Sequence, residues 1–470
     1  MHHRRTKIVA TLGPATDPPG LLDQLIAAGM DCARINCSHG THDDLRRRAL
    51  EVRAAAERAG RPVSLLFDLQ GPKIRLAGDI EERELKAGDR VVLYGNGAAP
   101  EPDAVRVAFD GFCDLVTERS ELVIGDGVPR LLTESVAPDK VVARALSPGP
   151  LLPNKGINVT YARPTLPAIT DKDLADLDVA VEMGADFVAL SFVRTGIDMI
   201  RLAELLEERG AHARTIAKIE KIEAYEHLDE ILAASHGIMV ARGDYGVEAG
   251  FARVPVMQKD TIHRATQAGK LVITATQMFE SMISQPEPTR AEAADVANAV
   301  IDGTSAVMLS AETSVGAYPV QAVLAMSDIA RVAEEASVIR GGKEPDVGGT
   351  AAAVMHAAVT LGDDVDAVAI VVPTTSGGTA RACAKYRRRR PTIALSHDPR
   401  VANQLALEWG VQPGTIDFIE SVDALIDEAL VIARDLAGLE PGGLVVLTAG
   451  PRSGSVGATN LIVLREVPAP

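Results

Sequence analysis

Eight short apolar runs, each followed by a longer stretch of helical periodicity, constrain this chain more than any other feature. They are KIVATLG from Lys7, CARINCS from Cys32, VSLLFDL from Val63, DFVALSF from Asp186, RTIAKIE from Arg214, GIMVARGD from Gly237, LVITATQ from Leu271 and AVMLSAET from Ala306. Nearly continuous β-branched and aliphatic runs are the pattern of strands buried on both faces, and strands alternating with helices form parallel sheets. Eight such units close a (β/α)8 barrel, the TIM-barrel arrangement, so the predicted class is α/β.

One interval is too long for a crossover helix. More than a hundred residues separate Asp68 from Asp186, and the first part (KAGDRVVLYGNG, ELVIGDGVPRLL, KVVARALSPG) is dense in Gly, Pro, Asp and short Val/Leu runs. This predicts a small all-β domain, a β-barrel, inserted at the C-terminal end of the third strand and therefore over the barrel mouth. After about Ala336 the polar VIRGGKEPDVGGT reads as a linker, and a further strand-helix series predicts a separate C-terminal α/β domain. The expected domains are residues 1–70 with 163–336 for the barrel, 71–162 for the insert and 337–470 for the C-terminal unit.

Charge and composition exclude several function classes. With 64 acidic against 48 basic residues the net charge is -16, which argues against a general nucleic-acid or anionic-membrane binder and requires any anionic ligand to be held locally. Cys32, Cys37, Cys113 and Cys383 lack CxxC spacing and are expected as reduced core thiols. No signal-type apolar segment opens the chain and no run approaches the roughly 18 apolar residues of a membrane helix, so a cytoplasmic protein is expected, with His2 and His3 an exposed tail. The run Arg387–Arg390 is expected to be a solvated helix end, and Trp409 to pack within the C-terminal domain.

Polar residues follow or close most of the eight runs: Arg34, Asn36 and Ser38; Asp68; Ser191; Lys218 and Glu220; Arg242, Gly243 and Asp244; Thr276; Ser310 and Glu312. Barrel active sites are built at the C-terminal ends of strands, so these side chains converge. Glu220 and Asp244 offer hard oxygens suited to Mg²⁺, against the plainer reading of salt-bridged carboxylates, and Lys218 and Arg34 supply cations suited to a phosphoryl group. Gly243 permits close approach of a ligand to the backbone. In the C-terminal domain, PTTSGGTARACAKYR sets Thr374, Thr375, Ser376 and Thr379 around Gly377 and Gly378 before a helix. This is either an anion cradle or a simple N-cap, and it lacks the GK[ST] ending of a P-loop.

The segments KIVATLGPAT, ARINCSHGTH, DLQGPKIR, AKIEKIEA, IMVARGDYGVE and TATQMFESMISQPEPTRAEAADVANAVIDGTSAVMLSAETSVGAYP carry a resemblance to the pyruvate kinases that covers essentially the whole chain. The resemblance implies Mg²⁺-dependent phosphoryl transfer from phosphoenolpyruvate to ADP, giving pyruvate and ATP in the last step of glycolysis, with Mn²⁺ able to replace Mg²⁺. It implies that Lys218 neutralises the transferring phosphoryl group, that Glu220 and Asp244 bind Mg²⁺, and that Arg34, Gly243, Asp244 and Thr276 position phosphoenolpyruvate. Thr276, with Ser310, matches the family's proton route to the enolate. Asn36, His39, Arg75 and Lys155 match nucleotide-binding positions, Lys155 coming from an insert that closes as a lid.

Residues 374–379, covered by GPRSGSVGATN from Gly450, match the site of a phosphorylated effector, a sugar phosphate or AMP, in a homotetramer. Asn36, Ser38, Asp68 and the Leu69 carbonyl match a K⁺ site. The chain, however, resembles the subgroup with Leu69, Gln70 and Lys73, in which an ammonium near Asp68 supplies the charge that K⁺ otherwise brings, so K⁺ is expected not to be required. The rival within enzymology is another metal-assisted barrel enzyme acting on phosphoenolpyruvate or a keto acid, such as a lyase or aldolase; from outside it, a catalytically silent sugar-phosphate sensor.

Overall fold

The computed structural model describes residues 4–95, 97–125, 127–159, 167–250, 252–336, 349–450 and 459–470. The His2–His3 pair, most of the expected linker (337–348), residues 160–166 of the returning NVTYARPTLP segment and residues 451–458 of the expected effector loop lie outside the described residues.

All eight predicted runs form strands: Lys7–Thr11, Cys32–Asn36, Ser64–Leu69, Phe187–Leu190, Arg214–Ile219, Gly237–Ala241, Leu271–Ala275 and Ala306–Leu309. Each pairs in parallel with its sequence neighbours, and the eighth pairs with the first, closing the barrel. The strand residues are almost all buried because both faces are covered. Alternate side chains such as Ile8 and Ala10 pack outward under the helices, while Val9, Leu66, Phe187, Ile216, Met239 and Ile273 fill the barrel interior. Leu407 of the C-terminal domain joins this interior cluster and plugs the barrel's N-terminal end. The opposite end, where the strands finish, is left for chemistry.

The insert is a sheet domain of its own. Its six-stranded sheet runs in the order Ile157–Val159, Glu121–Ile124, Arg130–Ala137, Lys140–Ala145, Arg90–Tyr94, Val105–Arg106, beside a two-stranded pair of Gly149–Leu151 and Arg83–Leu85. One apolar core, including Ile74, Leu93, Phe112 and Leu131, holds it together. No ladder among the described residues closes these strands into a ring.

The C-terminal domain has a five-stranded sheet ordered Val411–Thr415, Thr392–Ser396, Ala369–Pro373, Leu444–Ala449, Leu461–Glu466, parallel except at the last strand. Separate apolar clusters cover its two faces. The four cysteines are free and buried, as expected.

The arginine run is not a solvated helix end. Only Arg389 is exposed. Arg387 reaches the barrel, donating to the Thr304 carbonyl at 3.3 Å and the Ser305 hydroxyl at 2.9 Å. Arg390 pairs with Asp363 at 2.5 Å and Asp366 at 2.6 Å, and Arg388 with Asp363 at 3.3 Å. Trp409 is likewise a seam residue: Arg387 lies 5.0 Å over its ring and Arg5, from the barrel's N-terminal segment, 5.6 Å. A buried guanidinium keeps its charge only with such carbonyl, carboxylate and aromatic partners, and here they come from both domains.

Candidate active site

The strand register does the first part of the assembly. It sets Thr11 beside Arg34 on the first and second strands and Asn36 beside Asp68 on the second and third. Arg34 donates through Nε to Asp68 Oδ2 at 2.7 Å and through a terminal nitrogen to the Thr11 hydroxyl at 3.0 Å. Thr11 donates in turn to the Leu309 carbonyl at 2.7 Å, which tethers it to the eighth strand.

Lys218, on the fifth strand, sits in the middle of this end of the barrel. Its ammonium is 2.9 Å from Glu220 Oε1 and 3.4 Å from Asp68 Oδ1. It also donates to the Ser191 hydroxyl at 2.7 Å, and Ser191 donates to the Leu69 carbonyl at 2.7 Å. Glu220's other oxygen accepts the Phe192 N–H at 2.8 Å. A connected chain of polar contacts thus links the ends of the first five strands.

Burial and charge set the protonation of this chain. Burial acts to raise the Asp68 pKa, but Lys218 and Arg34 outweigh it and hold the carboxyl below its ordinary value. Burial acts to lower Lys218, and Asp68 and Glu220 reverse that, leaving the ammonium firmly charged. Glu220 is pushed upward by burial; Lys218 opposes the shift and the charge of Asp244 adds to it. A buried carboxylate whose proton affinity is raised by a neighbouring carboxylate favours a cation shared between the two.

Gly243 and Asp244 lie in the first turn of the Arg242–Ala249 helix that follows the sixth strand. The Gly243 N–H donates to the Thr276 hydroxyl at 2.8 Å. Thr276 and Gln277 have φ of +67° and +53°, a left-handed turn that non-glycine residues adopt only when the surroundings hold it. Arg242 is that hold. It donates to the Thr276 carbonyl at 3.1 and 2.7 Å and the Gln277 carbonyl at 2.9 Å, and pairs with Asp295 at 2.5 Å. After the eighth strand, Glu312 accepts the backbone N–H groups of Ser310 at 2.6 Å and Phe279 at 3.0 Å, while the buried Ser310 hydroxyl has no hydrogen-bond partner among the described residues.

A cleft of about 710 Å³ continues from this cluster between the barrel and the insert, lined by Lys73, Arg75, Lys155, Arg194, Lys221 and Asp244 among others. Arg75 donates to the Asn154 carbonyl at 3.1 Å. Asn36 and His39 contact one another at 3.2 Å, and the Ser38 N–H donates to Asn36 Oδ1 at 3.1 Å. Burial, with Arg75, Arg34, Lys73 and Lys172 around it, lowers the His39 pKa and keeps the ring neutral. The cations in contact with Asp68 are Arg34 and Lys218; Lys73 lies in the cleft next to Gly156.

In the C-terminal domain residues 374–377 form the turn between the Ala369–Pro373 strand and the Gly378–Lys385 helix, and Gly378 and Thr379 open that helix. The cap is Gly377, at φ +77°, which has no side chain to cap the helix. The Thr374 hydroxyl accepts the Gly377 N–H at 3.0 Å, and Thr379 meets Thr459, near the end of the late loop, at 2.9 Å.

Sequence reasoning noted Arg242 and Glu312 only as strand-end residues and gave them no task; it passed over Thr11. The available signals were the adjacency of Arg242 to Gly243 and the position of Glu312 two residues after Ser310.

The pyruvate kinase barrel-domain model matches residues 3–323, and the pyruvate kinase alpha/beta-domain model matches residues 352–464. The chain is 42% identical over 477 residues to a pyruvate kinase of Geobacillus stearothermophilus, covering 99% of this chain and 80% of that protein. It is 40% identical over 465 residues to one of Mycobacterium tuberculosis (strain ATCC 25618 / H37Rv), covering 99% and 98%. No helix among the described residues is long and apolar enough to cross a membrane. From the closed barrel with its inserted sheet, the cluster at its strand ends and these matches, it follows that the chain is an enzyme of the pyruvate kinase family.

Proposed function

We propose that the chain transfers the phosphoryl group of phosphoenolpyruvate to ADP with Mg²⁺, as the last step of glycolysis in the cytoplasm. The observation that carries this reading is the cluster of Arg34, Asp68, Lys218 and Glu220, a chain of contacts aimed at the strand ends where Asp244 and Thr276 also finish. Arg34 and Lys218 stand against Asp68, Glu220 and Asp244, a net charge of minus one. A divalent cation turns that to plus one, the sign that a phosphate and a carboxylate require.

Glu220 and Asp244 fit such a cation: both offer hard oxygens, and one is buried with its charge opposed by the other. Mg²⁺ bound there supplies charge neutralisation to the carboxylate and phosphate of the substrate, and Mn²⁺ can replace it. The protein's own groups do the rest. Arg34 and the Gly243 backbone hold the substrate oxygens, and Lys218 faces the charge that spreads over the phosphoryl oxygens during transfer. Thr276 and Ser310, whose hydroxyl has no hydrogen-bond partner among the described residues, are the proposed proton route to the enolate carbon.

Asn36, His39, Arg75 and Lys155 form the ADP end, and the insert closes over it, excluding water that would otherwise accept the phosphoryl group. Lys155→Ala is expected to raise the KM for ADP by about tenfold with a smaller change in kcat, as loss of one charge-assisted contact worth about 1.5 kcal/mol implies; unchanged nucleotide kinetics would remove Lys155 from the site. Residues 374–379 are the binding turn for a phosphorylated effector, a sugar phosphate or AMP, in a homotetramer. A helix start capped by a glycine, with no side chain of its own on the first N–H groups, and the Thr379–Thr459 contact support that turn as an anion cradle.

Activity is proposed not to require K⁺. Lys73 brings an ammonium into the cleft near His39, and Arg34 and Lys218 oppose the charge of Asp68. A lactate-dehydrogenase-coupled assay with phosphoenolpyruvate and ADP tests the whole reading. Turnover that needs Mg²⁺, proceeds without K⁺ and responds to a panel of sugar phosphates and AMP is expected, and Lys73→Glu should create a K⁺ requirement. A wild-type enzyme inactive until K⁺ is added overturns the monovalent-ion part, and no Mg²⁺-dependent turnover under any condition overturns the function.

A further inference from the structure

Glu220 and Asp244 stand on different elements and repel one another, so something other than the ion must set their spacing. Glu220 ends the fifth strand's extension, two residues before the Ile222–Glu226 helix begins. Asp244 is in the first turn of the Arg242–Ala249 helix, and Glu248 lies one turn further on the same face, at i+4. Glu248 is turned back toward the fifth strand. One of its oxygens accepts the Ile222 N–H at 2.9 Å, and the other is 3.7 Å from the Lys221 ammonium. Its side chain is only 9% exposed.

The helix that carries Asp244 is thereby tied to the two residues immediately after Glu220. A second restraint acts on the same turn from the insert, where Arg130 donates to the Val247 carbonyl at 3.2 Å. The helix ends directly afterwards, at Gly250 with φ +80°. Its far end is held, so its near end presents Asp244 at a fixed reach.

We infer that Glu248 is a positioning residue for the divalent cation, setting the separation of Glu220 and Asp244 through its bonds to Ile222 and Lys221. This rests on the reading of those two carboxylates as the metal ligands. Groups that orient metal ligands in this way change metal affinity by about 10–100-fold when removed.

The test is Mn²⁺ binding to the full chain without substrates, followed by the electron paramagnetic resonance signal of free Mn²⁺, on wild type, Glu220→Gln, Glu248→Ala and Glu248→Gln. Glu220→Gln should abolish binding in the wild-type range. Glu248→Ala should weaken it about 10–100-fold. Glu248→Gln keeps an oxygen for the Ile222 N–H and loses only the charge facing Lys221, so it should weaken binding at least threefold, as an order-of-magnitude expectation for a lost partly buried pair. In the coupled assay the Glu248 variants should need more Mg²⁺ for half-maximal rate while recovering most of kcat at saturating Mg²⁺, a split that a general loss of packing does not produce.

Mn²⁺ affinity in folded Glu248→Ala equal to wild type overturns the inference; if that variant does not fold, unchanged affinity in Glu248→Gln does so. Unchanged affinity in Glu220→Gln overturns the metal assignment itself, which separates the two failures.

Discussion

Lys218→Met is expected to lower kcat by about 10³–10⁵-fold, the range measured for removing a single cation from a phosphoryl-transfer transition state. The side chain is 12% exposed and, among the described residues, is the only cation in contact with both Asp68 and Glu220. Methionine matches its length and fills its volume without charge. The fold should survive, because each carboxylate keeps one strong partner: Asp68 has Arg34 at 2.7 Å and Glu220 has the Phe192 N–H at 2.8 Å. The KM for phosphoenolpyruvate should change far less than kcat, since Arg34 and the Gly243 backbone remain to bind the ground state. Circular dichroism that matches wild type, together with a coupled-assay rate within tenfold of it, would take Lys218 out of the transition state. The same variant separates a kinase from a sensor, because a sensor has no rate to lose.

The eight barrel strands were legible because a parallel strand covered on both faces has no reason to alternate, and each run kept that apolar continuity from Lys7 to Leu309. The strand-end cluster was legible for a related reason: in a closed barrel, position along the strand is position in space. What depends on contact across domains was not. Arg387 looked like one of four solvated arginines, since nothing in RRRRP encodes the Thr304 carbonyl and Ser305 hydroxyl that meet it. Trp409 looked like local packing, yet its ring is shared by Arg5 and Arg387 from opposite sides of the seam. Arg242 was noted only as polar at a strand end, because its task is to hold two carbonyls of a positive-φ turn, and the sequence TATQMFE gives no sign of that turn. Lys73 was set near Asp68 by resemblance to a subgroup of the family, whereas the cations that pair with Asp68 among the described residues, Arg34 and Lys218, come from the second and fifth strands, a contact that only the closed barrel makes.

Asp68→Asn is expected to destabilise the barrel by about 3 kcal/mol at neutral pH, the low end of the range for removing one member of a buried ion pair. Asp68 is 1% exposed and, among the described residues, is the only carboxylate in contact with Arg34, which otherwise has the Thr11 hydroxyl. Lys218 retains Glu220, which is why the low end applies. An amide of the same shape leaves two cations facing each other across the site with less negative charge between them. For a unit of this size the loss corresponds to a fall of roughly 6–12 °C in the barrel's thermal transition. The sign of the pH dependence follows from the direction of the shift. The Asp68 carboxyl is held below its ordinary value of 3.8 in the folded chain, so its stabilisation is fully present above that value and is lost as pH falls through the folded pKa. The gap between wild type and Asp68→Asn should therefore be constant from pH 8 to about pH 5 and close below it, as protonation makes the wild-type side chain neutral too. Calorimetry across that range reads the difference directly. A gap that keeps its size below pH 3.8 would mean that Asp68 acts by shape and hydrogen bonding, and that the charge balance of Arg34 and Lys218 is set by groups other than this one.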